Sequence, residues 1–195
     1  MVCGSLQEKH LRIAEQCAPV LAGVKPANLL MLEDVTTEEV TEMIRGSETM
    51  IYFLYRGRRK CAWLLYQEEK IKSILRHSDV QRFLKAYGYH SFFIEDVLAR
   101  LCERAASYLE GEMEYPHELG VILGYPLEDV KGFIEYQGKN YLISGYWKVY
   151  GNVEKAQQTF ALYHKAKREA VSKILCNAEI RRYHGIIRIK NRMED

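Results

Sequence analysis

A cysteine and a histidine that could act together in thiol chemistry stand far apart in this chain, at Cys17 and His117. An imidazole beside a thiol can hold it as a thiolate, which is the nucleophile of thiol-dependent hydrolases and transferases. Glu118 adjoins His117 and cannot easily orient it, so Asn140 or Asp129 would have to do so. A catalytic pair is one hypothesis. The other is structural: Cys17 is a small core residue, and His117 bonds to backbone at a helix start.

Residues 139–152, KNYLISGYWKVYGN, predict a second kind of site, a pocket for a small ligand. Aromatic rings with a few polar tips are the usual lining of such pockets. In a strand, one face can join the core while the other lines a groove near His117. The alternative is a strand that is packed on both faces. The candidate ligand-binding residues are Lys139, Asn140, Tyr146, Trp147, Lys148 and Tyr150.

Two basic clusters predict a surface for an acidic partner. They are RGRRK at residues 56–60 and, towards the C-terminus, Arg181, Arg182, Arg188, Lys190 and Arg192. An acidic protein is the expected partner, and a flavodoxin would suit a basic patch because flavodoxins are acidic. The alternative is that these clusters bind nucleic acid. The net charge of +2 gives no general reason to expect nucleic acid or anionic membranes. The structural alternative is a solvated hairpin tip and a frayed terminus.

The cysteine and histidine spacings indicate neither a metal site nor a disulfide framework. The five cysteines are odd in number, and no CxxC, HxxxH or HExxH spacing occurs. No cofactor motif is present, so the cofactor is left open. The first residues lack a hydrophobic signal core, and no apolar run approaches the roughly 18 residues of a membrane helix. These features predict a reduced, cytoplasmic protein without a membrane partner.

Most of the chain shows helical periodicity, interrupted by one clear β-hairpin. Helices are predicted over residues 5–18, where Pro19 disfavours continuation, and from Thr36, which forms a capping box with Glu39. The aromatic and β-branched residues 49–67 predict two strands around a turn. Residues 92–110 give the strongest helix, with one continuous apolar face.

The remaining segments complete the predicted architecture. Residues 115–134 contain Pro116 and Pro126 at two helix starts and Gly124 at a helix end, so they predict two short helices joined by a bend. Residues 138–151 predict a strand, and Asn152 caps a helix over 153–176, followed by a short strand or loose end. The order is mixed, which predicts an α+β fold with a small, mainly antiparallel sheet. We expect a single domain over residues 1–195, with its core at about 5–180 and a basic tail at 181–195.

Three long phrases in this sequence resemble one protein family. They are CAPVLAGVKPANLL (17–30), HELGVILGYPLEDVKGFI (117–134) and GKNYLISGYWKVYGNVEKA (138–156). Together they resemble the family known as domain of unknown function 3793, over about residues 5–180. The resemblance implies a bacterial, cytoplasmic, single-domain protein. It implies no reaction, cofactor or catalytic residue. From the aromatic segment and the basic clusters, we expect an accessory protein that binds a small ligand or a redox partner.

Overall fold

The computed structural model describes residues 6–190, with side chains for residues 8–176. The helices are α1 (Leu6–Leu21), α2 (Thr37–Met43), α3 (Glu68–Leu75), α4 (Ser78–Lys85), α5 (Ile94–Leu109), α6 (Leu119–Ile122), α7 (Leu127–Glu135) and α8 (Val153–Lys190). The strands are β1 (Ala27–Leu32), β2 (Met50–Arg56), β3 (Cys61–Tyr66), β4 (Ile143–Ser144) and β5 (Lys148–Val149). The predicted α+β fold, a helix-rich single domain with a small antiparallel sheet, is confirmed.

The three-stranded sheet has the order β1–β3–β2, and both of its pairings are antiparallel. The predicted hairpin over residues 49–67 is confirmed as β2 and β3, closed by a hydrogen bond from the Gly57 amide to the Lys60 carbonyl. All six residues of the central strand β3 are buried. A strand that is buried at every position must be covered on both faces, which explains its unbroken apolar sequence CAWLLY.

Successive residues of β3 point to two separate hydrophobic clusters. Trp63 and Leu65 face the first cluster, which α1 and α2 complete. Ala62 and Leu64 face the second, larger cluster, which is completed by helices α3 to α7. The alternation of side chains along a strand therefore places α1 on one face of the sheet and α6 on the other.

The last helix and the small hairpin form a third unit of packing. Strands β4 and β5 pair antiparallel, and Trp147 and Val149 pack on Phe160 and Tyr163 of α8. Helix α8 also packs along α1. Asn152 caps α8, as predicted, because its side-chain oxygen accepts a hydrogen bond from the Lys155 amide at 2.9 Å.

Several sequence-based boundaries are corrected by the structure. Helix α1 continues through Pro19 to Leu21, since a proline near a helix end removes only one backbone hydrogen bond. The single strand predicted for 138–151 is a two-stranded hairpin that turns at Gly145. The predicted loose end is helical as far as Lys190, and residues 191–195 lie outside the described part.

A buried ion pair joins α5 to the turn before α6. Glu118 is fully buried, and its carboxylate pairs with Arg104 and accepts a hydrogen bond from the Tyr89 hydroxyl at 3.2 Å. The Arg104 guanidinium also lies 5.3 Å from the ring centre of Tyr87. Burial and the Glu118 carboxylate raise the pKa of the Tyr89 phenol above its ordinary value. These contacts satisfy the charge of Glu118 inside the core and fix the position of its neighbour His117.

We expect Arg104→Met to destabilise the protein by roughly 3–5 kcal/mol, because it leaves the Glu118 carboxylate buried and unpaired. The double variant Arg104→Met/Glu118→Leu should lose much less than the sum of the two single changes. Urea unfolding of the four proteins measures this coupling. Arg82→Met is the matched control, since Arg82 forms an exposed pair with Asp79 and should change stability by less than about 0.5 kcal/mol. Additive losses in the double variant would contradict the assigned role of the pair.

Candidate functional site

A cavity of about 320 Å³ lies between the α6–α7 segment and the β4–β5 hairpin. We call it the aromatic cavity. Its lining includes Tyr115, His117, Gly120, Tyr125, Asp129, Phe133, Ser144, Trp147 and Lys148. Its volume is at the lower end of the range of small-molecule sites, and its mainly aromatic wall with a few polar groups is typical of them.

Two stacked rings make one wall of the aromatic cavity. The ring centres of Tyr125 and Trp147 lie 5.1 Å apart, and the ring planes meet at 26°. The far side of this pair lines a second cavity of about 500 Å³, which also borders α8. Trp147 is held from behind by Phe160, whose ring centre is 4.5 Å away in an edge-to-face arrangement. The wall is therefore one pair of rings thick and is supported by α8.

Asp129 holds this wall in place. Its carboxylate is buried and accepts three hydrogen bonds, from the Trp147 indole at 2.7 Å and from the amides of Tyr150 and Gly151 at 2.7 and 2.8 Å. Such charge-assisted hydrogen bonds are stronger than neutral ones. Asp129 belongs to α7, whereas its partners belong to the hairpin and the start of α8. One side chain thus joins the two segments that enclose the cavity.

His117 and Lys148 are the side chains in the cavity lining that offer N–H donors and are not tied to Asp129. The His117 ring packs between Tyr115 and Phe133, with centres 5.3 and 5.2 Å away. The Lys148 ammonium donates to the Gly138 carbonyl at 2.7 Å and lies 5.7 Å from the centre of the Phe133 ring. An imidazole and an ammonium therefore border the same apolar space.

A buried lysine lies behind the aromatic wall. The Lys25 side chain is only 2% exposed, and its ammonium lies 5.4 Å from the Tyr125 ring centre and 5.6 Å from that of Tyr163. Burial lowers the pKa of the Lys25 ammonium from 10.5 to about 8. The contacts with two ring faces offset part of the cost of burying this charge.

The predicted ligand-binding residues divide into three groups. Trp147 and Lys148 line the aromatic cavity. Tyr146 and Tyr150 pack elsewhere. Tyr146 contacts Phe160 and Tyr163 of α8, and Tyr150 stacks on Tyr136, which follows α7. Lys139 and Asn140 are exposed in the loop before β4. The tight turn of the hairpin causes this division, because it ends the regular alternation that a single strand would have.

The structure does not bring Cys17 and His117 together. Cys17 is fully buried between α1 and the sheet, on the face of the sheet opposite α6. Burial raises the pKa of its thiol to about 12, which disfavours the thiolate. His117 lines the aromatic cavity instead, where Asp129 and Asn140 form no hydrogen bond with it within the described residues. The geometry therefore gives no support to the thiol-dependent hypothesis.

The remaining predicted surfaces are only partly described. Arg56, Arg58, Arg59 and Lys60 are exposed at the β2–β3 turn, while the second basic cluster lies at 181–192, where no side chains are described. An acidic partner and a nucleic-acid partner both stay predictions. Across residues 6–190, no helix is long and apolar enough to cross a membrane. No cluster of three or more metal-ligating side chains occurs in the described part of the chain.

Comparison with protein families gives one match. Residues 13–183 fit the family described as a protein of unknown function, DUF3793. The chain belongs to the DUF3793 family. Comparison with curated proteins and with solved structures gives no significant match. For this DUF3793 protein, the candidate site therefore rests on its own geometry.

The sequence does not predict several residues of the aromatic cavity as part of a site. Tyr115, Gly120, Tyr125 and Phe133 belong to the stretch that predicts two short helices. One signal is present: Gly124 and Pro126 flank Tyr125 and mark the bend from which its ring reaches Trp147. A Cβ on Gly120 would lie 2.9 Å from Val130 and 3.2 Å from Tyr125, so the glycine lets α7 and the ring approach closely.

We expect Asp129→Asn to destabilise this DUF3793 protein by roughly 2–4 kcal/mol, because an amide offers one acceptor oxygen where three N–H donors converge. The Trp147 indole should also become more exposed, which red-shifts the emission of this tryptophan. Chemical denaturation and fluorescence of a Trp63→Phe background measure both effects. Asp79→Asn is the control, since Asp79 is exposed on α4. An Asp129→Asn protein with unchanged stability and emission would show that the three hydrogen bonds do not hold the wall.

Lys25 should make stability rise between pH 7 and pH 9. In this interval the folded Lys25 loses its proton near pH 8 while the unfolded chain keeps it, so deprotonation favours the folded state by roughly 1 kcal/mol at pH 9. Above pH 9 the rise levels off, because the Cys17 thiol ionises near 9.0 in the unfolded chain and near 12 in the folded one, which offsets the contribution of Lys25. Urea unfolding across pH 6–10 measures the profile.

Lys25→Met is the comparison for this pH profile. The variant should lack the rise between pH 7 and pH 9 and should lose stability above pH 9, because Lys25 no longer offsets the ionisation of Cys17 in the unfolded chain. Lys139→Met controls for removal of an exposed lysine from the same protein. Parallel profiles for the wild-type protein and Lys25→Met would contradict the lowered pKa of Lys25.

Proposed function

We propose that this protein binds a small molecule in the aromatic cavity and acts as an accessory binding protein. The observation that supports this most is the half-open cavity of about 320 Å³ between α6–α7 and the β4–β5 hairpin. A concave space of this size, with aromatic walls and a few polar groups, is typical of a small-ligand site.

The construction of the walls supports the proposal further. Two buried carboxylates fix the cavity: Glu118 through Arg104 on α5, and Asp129 through the hairpin. A cavity whose walls are held by buried, fully paired groups is formed before the ligand arrives, which reduces the entropy lost on binding. If this region served only to stabilise the fold, we would expect apolar side chains to fill the space.

A cytoplasmic location and a bacterial source belong to the same proposal. The described cysteines Cys17, Cys61, Cys102 and Cys176 are all free thiols, which suits a reducing compartment. The bacterial source is what the family resemblance implies. Docking of an acidic redox partner at the exposed turn formed by residues 56–60 remains an expectation alongside ligand binding.

Ligand binding can be tested by thermal shift against a library of small metabolites, with native mass spectrometry of the purified protein. A ligand at 100 times its Kd stabilises the folded state by about 2.7 kcal/mol, which raises the Tm of a protein of this size by roughly 5–10 °C. Ser144 lies at the exposed edge of the cavity and pairs with Lys148 across the hairpin. Ser144→Tyr should fill the cavity and abolish the shift.

Ser172→Tyr provides the matched control, because Ser172 is exposed on α8 and does not line the aromatic cavity. This variant should keep the full thermal shift. A ligand whose stabilisation is the same in Ser144→Tyr and Ser172→Tyr binds elsewhere, and that result would reject the aromatic cavity as the site. A screen without any ligand, and no small molecule carried through purification, would count against the function itself.

A further inference from the structure

The charges around the aromatic cavity point to the class of molecule that it binds, an inference that rests on the proposed function. Three ionisable side chains other than tyrosines line the cavity: Asp129, His117 and Lys148. Aromatic walls alone accept a ligand of either charge, because ring faces attract cations and ring edges attract anions. The sign of the ligand's charge therefore depends on which of these three side chains is free to pair with it.

Asp129 is not available to a ligand. One of its oxygens accepts from the Trp147 indole, and the other accepts from the amides of Tyr150 and Gly151. A carboxylate has about four acceptor positions, and three of them are occupied by donors that belong to the fold. A cationic ligand would have to compete with these hydrogen bonds for the same charge.

Lys148 is available. Its ammonium has three donors, of which the Gly138 carbonyl takes one. No carboxylate pairs with Lys148 among the ion pairs of the described residues. The ammonium also lies over the Phe133 and Tyr141 rings, at 5.7 and 4.9 Å from their centres, so the aromatic faces next to it already hold a cation.

The shape of the cavity restricts the rest of the ligand. Tyr125 and Trp147 both line the cavity and are stacked on each other, so a ligand meets an outer face or the edges of this pair. Phe133 and His117 lie on the lining as well. The volume of about 320 Å³ suits a molecule of about two fused rings. A single ammonium balances a single negative charge, which favours a carboxylate over a doubly charged phosphate.

We propose that the aromatic cavity binds a small planar aromatic carboxylate. Its ring packs against the stacked Tyr125–Trp147 pair, and its carboxylate pairs with the Lys148 ammonium. The imidazole of His117 lines the same cavity. A quaternary or primary ammonium ligand held in an aromatic cage is the competing arrangement, and the occupied state of Asp129 disfavours it.

Three naphthalene probes of equal size separate these arrangements: 2-naphthoate, 2-naphthalenemethanol and 2-naphthylmethylammonium. Isothermal titration calorimetry of the full chain at low salt should show 2-naphthoate binding about tenfold or more tightly than the alcohol, and the ammonium most weakly. Lys148→Met retains the packing on Phe133 but removes the charge. In this variant the carboxylate and the alcohol should bind with nearly equal affinity.

Lys139→Met is the control, because Lys139 is exposed nearby and does not line the cavity. It should preserve the preference for the carboxylate. Equal binding of all three probes, or tightest binding of the ammonium, would overturn the charge selectivity while leaving the proposed function in place. Failure of all three to bind would also overturn this inference, and the thermal-shift screen decides separately whether the cavity binds other molecules.

Discussion

The carboxylate of Asp129 is the constraint on which the candidate site depends. It lies in the first turn of α7, is removed from water, and accepts hydrogen bonds from N–H groups of the hairpin and of the link to α8. A buried charge without such partners is costly, so the hairpin and the start of α8 must dock where their donors reach it. The position of Trp147, and with it the aromatic wall, follows from this electrostatic requirement.

A second buried carboxylate holds the opposite side of the cavity in the same way. Glu118 is buried beside His117, and Arg104 of α5 neutralises it. The two carboxylates stand in one continuous stretch of sequence, yet they attach it to elements that lie before and after it in the chain. A short helical bend of two turns is thereby held rigidly enough to carry an imidazole and two aromatic rings. Hydrophobic packing alone would place such a bend less specifically.

The sequence predicts the framework well because the framework follows local rules. The capping box of Thr36 and Glu39, the hairpin over 49–67 and the helix around Val97 all depend on neighbours within a few residues. The site is harder to predict, because it depends on contacts between distant residues. Cys17 and His117 could share a reactive chemistry, but Cys17 packs on one face of β3 and α6, which follows His117, packs on the other. Trp147 and Lys148 line the cavity together because the chain turns at Gly145, where a side chain would collide with Phe160.

The brevity of β4 and β5 affects how firmly the hairpin holds its side of the cavity. Each strand has two residues, so few backbone hydrogen bonds keep the hairpin closed, in contrast to the fully covered β3. Regions with few such bonds open locally at a much lower free energy than the whole domain. Amide protons of the hairpin should therefore exchange with solvent through excursions that leave the central sheet intact. The same excursions would widen the existing opening of the cavity beside Ser144 while the hairpin is detached from α7.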